Sequence, residues 1–126
     1  MNLKNKILEY GLNHEKLSDP LTQYTLELGL DYIKKHDLDT WDLVKHIIEI
    51  EVELGGYRDE LYEALSGIYD KSRDLGIPDA IVRSILTIRL GAALASKAAG
   101  LELSDSIRFF KELLECKFNI GGRDEK

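Results

Sequence analysis

Glu51 and Arg89 carry the most chemistry in this chain. Each falls in the middle of an apolar helical arc, Glu51 within WDLVKHIIEIEVEL (41–54) and Arg89 within AIVRSILTIRLGAALASKAA (80–99). A lone charge buried there is costly, so an acid and a base so placed invite pairing. The pair has three readings. It fixes the register of two helices, it crosses an interface, or it seeds a pocket in which a carboxyl of raised pKa acts as a general acid. The last needs a second catalytic group, and none stands out. His46, Glu49 and Glu53 share a face of one helix at spacings of three and four, which suits a metal. Helical di-metal bundles, however, need Glu-x-x-His twice with further carboxylates facing inward. Here the order is reversed, occurs once and falls on the polar side. His14 and His36 lie in or beside loops with no partner at ligand spacing. The expectation is no metal, no cofactor and no catalytic residue.

Other chemistry is equally sparse. The acidic run from Glu49 to Glu63 lacks the spacing of a Mg²⁺-holding carboxylate cluster, because Glu60 and Glu63 point outward. Cys116 sits on an apolar stripe and reads as a small hydrophobe. The glycine pairs at 55–56 and 121–122 lack the strand before and the lysine pattern after that a phosphate loop requires. Tyr24, Tyr32, Tyr62 and Tyr69 are the tyrosines whose hydroxyls would line a pocket.

The elements that position these residues are punctuated clearly, and none is a strand. A short helix over about 3–10 stops at Gly11. Ser18 or Asp19 caps a second helix, 20–35, with Pro20 in its first turn. Asp39 or Thr40 caps a third, 40–54, which Gly55 and Gly56 end. The fourth runs 57–74, the fifth 78–99 and the sixth 105–118 behind Ser104. These make an all-α, up-and-down bundle of five main helices plus a short N-terminal one, a single domain over 1–120 with a mobile tail at 121–126. The fourth helix reads as an ordinary surface helix, with Tyr57, Leu61, Leu65, Ile68 and Tyr69 facing inward. The fifth is apolar nearly all round and should be central. Its small residues Ser84, Gly91, Ala95 and Ala98 form a seam for close approach, either against Gly29 in the same chain or against a second copy. The sixth is apolar on two sides, Phe109, Leu113, Cys116 and Ile120 forming one of them. The candidate interface is therefore Gly91, Ala95, Ala98, Phe109, Leu113 and Ile120.

Composition bounds the rest. An apolar fraction of 44% and a charged fraction of 32% over 126 residues describe one folded domain. No apolar run reaches the roughly 18 residues of a membrane span. MNLKNKILEY lacks the apolar core of a signal peptide, and a single cysteine permits no internal disulfide, so the cytoplasm is the expected compartment. Net charge is −6, divided as −8 over residues 1–70 (15 acids, 7 bases) and +2 over 71–126 (8 acids, 10 bases). That balance argues against nucleic acid as a general ligand. A strip of Arg83, Lys97, Arg108, Lys111 and Lys117 keeps open a nucleic-acid-associated small subunit. The segment RFFKELLECKFNIGG resembles, over its fifteen residues, the closing helix of small helical subunits of type III CRISPR effector complexes. That resemblance implies contact with RNA, for which the basic surface is mostly lacking. The order helix–HDLDTWDLVKH–helix is similar in pattern to helical dimerisation domains of bacterial stress-response regulators, which implies self-association. The leading expectation is a non-catalytic interaction or regulatory module, either a homo-dimer or larger homo-oligomer or an accessory subunit of another protein. A ligand binder or enzyme with a pocket near Glu51 and Arg89 is a further alternative.

Overall fold

The computed structural model describes residues 2–12 and 19–118. Every regular element among them is helical. The helices are α1 (Leu3–Leu8), a 3₁₀ turn at Tyr10–Leu12, α2 (Pro20–His36), α3 (Thr40–Glu53), α4 (Arg58–Asp74), α5 (Asp79–Ala98) and α6 (Leu103–Phe118). The expected bundle of five main helices and a short first one is what forms.

Local chemistry explains the boundaries. The Asp19 carboxylate accepts from the Leu21 N–H and that of Asp39 from the Asp42 N–H, capping α2 and α3. At the end of α3, Gly55 takes φ 107°, which lets the Gly56 N–H reach back to the Glu51 carbonyl and its own N–H to that of Val52. Asp37 ends α2 in the left-handed region at φ 53°, a strain that a short polar side chain tolerates. The start of α6 departs from expectation: it begins at Leu103, ahead of Ser104. Its first N–H groups have other partners, the Leu103 N–H donating to the Leu54 carbonyl at 2.9 Å and the Glu102 N–H to the Asp105 carboxylate at 3.4 Å. The end of α3 thus does the work assigned to a serine cap.

α5 is the hub, with α2, α3 and α6 packed around it. Its faces serve two apolar cores. Leu86, Leu90 and Ala93 meet Leu43, Val44 and Ile47 of α3 and Leu61 and Leu65 of α4. Ile88, Ala92 and Ala95 meet Phe109 and Leu113 of α6 and Ile7 and Tyr10 near the N-terminus. Tyr10 is buried edge-on against Phe109 with ring centroids 5.1 Å apart, and burial holds its phenol well above the ordinary tyrosine pKa.

α2 crosses α5 almost backbone to backbone. A Cβ on Gly29 would lie 2.7 Å from the Thr87 carbonyl oxygen, and one on Gly91 would collide with that of Thr25. Thr25 and Thr87 flank the crossing, and each donates its hydroxyl to the carbonyl four residues earlier, so neither asks anything of the other helix. At Gly91 the small-residue seam therefore closes within the chain, while Ser84 and Ala98 at its ends are exposed. Its counterpart is Gly29.

Candidate functional site

Glu51 and Arg89 come together. The guanidinium forks onto the carboxylate, Nε to Oε2 at 2.7 Å and Nη2 to Oε1 at 2.8 Å. Glu51 is fully buried, and Arg89 lies under the Phe110 ring, 5.5 Å from its centroid. Three helices meet here: the acid comes from α3, the base from α5 and the covering ring from α6. Both carboxylate oxygens are occupied by the guanidinium, so the arrangement is a clamp between helices.

The candidate interface residues go mostly inside. Gly91, Ala95, Phe109 and Leu113 are buried within this one chain, which removes them from any outward-facing surface. The second apolar side of α6 is covered by α1 and Tyr10, a contact that the amphipathic pattern of α6 alone could not reveal. Ala98 is exposed. Ile120, the tail at 121–126 and the side chain of Lys117 lie outside the described residues.

The basic residues do not form a strip. Arg83 donates to the Leu38 carbonyl at 2.5 Å, Arg108 to the Ile7 carbonyl at 2.6 Å, and Lys97 pairs with Glu53. These three use their charge inside the chain, on separate partners, while Lys111 faces solvent.

The face that remains open is one whose stripe is expected to turn inward. The apolar stripe of α4 runs Leu61, Leu65, Ile68 and Leu75, at spacings of three or four apart from the polar step at Ser72. Leu61 and Leu65 are buried, at 8% and 2% exposure, but Ile68 is 55% and Leu75 68% exposed. The stripe keeps its period and runs off the bundle. Ile77 and Ile81, just beyond the turn into α5, are exposed too, as are Tyr57 and Tyr62 at the other end of α4. The sequence signal was present in the stripe; missing was the fact that α5 packs only lightly against α4.

Beside this face, between α3 and α4, lies an open groove of about 630 Å³. Ile48 and Tyr62 supply its apolar lining and Lys45, His46, Glu49 and Arg58 its polar rim. Arg58 donates Nε to Glu49 at 3.1 Å, and this hydrogen bond holds the Glu49 carboxyl below the usual range. Of the four tyrosines singled out above, Tyr62 lines this groove, Tyr24 is exposed, Tyr69 packs against Trp41 and Tyr32 bonds His46. Among the described residues no three His, Cys, Asp or Glu side chains gather as a metal cluster, and no helix is long and apolar enough to cross a membrane.

Comparison with protein-family models, with curated proteins and with solved structures finds no match to this chain.

Proposed function

We propose that this protein is a non-catalytic interaction module, working as a homo-oligomer or as the accessory subunit of a larger assembly, and that the α4 face is where it docks. One observation carries the reading: the α4 stripe continues in register past the last buried leucine and leaves Ile68 and Leu75 in solvent, joined at the turn by Ile77 and Ile81. A large exposed apolar patch is a common mark of a binding surface. A partner helix laid along the second half of α4 would complete for Ile68 and Leu75 what α3 and α5 do for Leu61 and Leu65. The engagement of Arg83, Lys97 and Arg108 within the chain leaves the nucleic-acid alternative without a strip to rest on. The cytoplasm is the compartment that a single cysteine suits.

Light scattering across a concentration series, on the native chain and on Ile68→Glu/Leu75→Glu, tests the proposal. A dimer that the double substitution dissociates supports self-association through α4. A monomer at every concentration removes the homo-oligomer and leaves the accessory-subunit reading alone. A dimer indifferent to the substitution places its interface elsewhere and removes α4 from the reading.

A further inference from the structure

The solvent side of α4 carries a pattern with its own symmetry. At about 100° per residue, Tyr57, Ala64, Ile68 and Leu75 fall within about 40° of one another, with Tyr57 and Leu75 capping the two ends of the helix. Glu60 and Lys71 border that stripe, both on the same side of it. All six are exposed, Tyr57, Ile68 and Leu75 at 73%, 55% and 68%. Tyr57 and Leu75 lie nine positions either side of Ser66, Ala64 and Ile68 two either side, and Glu60 six before it against Lys71 five after. From either end the face runs bulky, charged, apolar, apolar, charged, bulky. Among the described residues neither Glu60 nor Lys71 makes an ion pair, whereas Lys45, Arg58 and Lys97 each do.

We infer that this face docks on the same face of a second copy of the chain, with the two α4 helices antiparallel about a two-fold axis passing near Ser66. The inference rests on α4 being the docking surface and names its occupant. In a two-fold interface residue i of one copy meets j of the other and j meets i, so a face serves only if it complements itself when reversed. Antiparallel pairing about Ser66 sets Tyr57 against Leu75 of the second copy and Ala64 against its Ile68, and each contact is made twice. A small residue opposite a bulky one near the centre lets the helices close, and large side chains seal both ends. Charge sets the direction. A two-fold axis normal to the helix pair keeps each flank opposite the same flank, so Glu60 meets Lys71 of the second copy and Lys71 meets its Glu60. A parallel pair would set these flanks on opposite sides, with no acid opposite a base. A different protein would require no such symmetry within α4.

Sedimentation equilibrium at low salt, on the native chain, Glu60→Lys, Lys71→Glu and Glu60→Lys/Lys71→Glu, tests the inference, with circular dichroism confirming that each variant folds. Both positions are exposed, so the substitutions leave the core intact. The expected result is a native dimer with a Kd in the micromolar range. Each single reversal sets like charges opposite one another twice and should weaken the dimer about tenfold, an effect that shrinks in high salt, while the double reversal restores it to within about threefold. A dimer of native Kd in both single reversals, or a double reversal that fails to recover, overturns the antiparallel pairing. If Ile68→Glu/Leu75→Glu still dissociates such a dimer, α4 remains the docking face and only the pairing falls. A native chain that is monomeric at every concentration overturns the second copy as occupant and leaves the accessory-subunit reading. A dimer indifferent to all these substitutions overturns the pairing and the α4 reading together.

Discussion

α5 and α4 are both long helices, of 20 and 17 residues, yet α5 buries ten residues and α4 two. α4 is the more polar of the two, yet it carries its own apolar stripe, interrupted at Ser72. What differs is what the neighbours supply. α5 receives α2, α3 and α6 on different sides, and each approach is keyed by one residue that a purely apolar helix would not need: Gly91 toward α2, Arg89 toward Glu51 of α3 and Phe110 of α6. α4 has α3, which reaches its second half where Trp41 meets Tyr69, and only a light contact with α5. Burial is thus a property of the assembled faces, and a helix can hold a complete stripe while half of it stays in water.

The largest test of this contrast lies at the buried clamp. Glu51→Leu alone leaves the Arg89 charge without its partner and Arg89→Met alone leaves the buried carboxylate without its own, and each should cost about 3–5 kcal/mol, whereas Glu51→Leu with Arg89→Met should come close to native stability. Chemical denaturation of the two single variants and the double would measure the coupling, and additive effects would dismiss the clamp. Next in size is Gly91→Ala. Its methyl group meets the Thr25 carbonyl, so α2 and α5 must separate, at about 1–3 kcal/mol. The smallest effect, and opposite in sign, belongs to Gly67→Ala on α4. A Cβ there meets nothing within 4 Å, and the substitution should stabilise by up to about 1 kcal/mol through helix propensity. One chemical change made on two helices then reads out the difference between them, and equal melting shifts for the two alanines would contradict it.

The helices themselves were legible in the sequence because their signals are local. Asp19, Asp39, Pro20 and the glycines at 55, 76 and 100 act on their nearest turns, and the continuous apolar surface of α5 marks the centre. The pairing of Glu51 with Arg89 followed from the cost of isolated buried charge. Harder to read were facts about which face meets which. The second side of α6 suggested another subunit, but Ile7 and Tyr10, about a hundred residues earlier, cover it. Ile68 was expected inside because its stripe is sound, and no residue in α4 announces where α5 stops covering it.

The hydrogen bond from Arg108 to the Ile7 carbonyl spans 101 positions of the chain. Synthesis runs in one direction, so Ile7 and Tyr10 leave the ribosome long before α6 exists to cover them. Through that interval the nascent chain carries a sticky, unfinished first segment, and the second core closes only once Phe109 and Leu113 have emerged. Once α5 has emerged and before α6 does, the helices from α2 to α5 are therefore ready to pack while the N-terminal turn is still a target for chaperones.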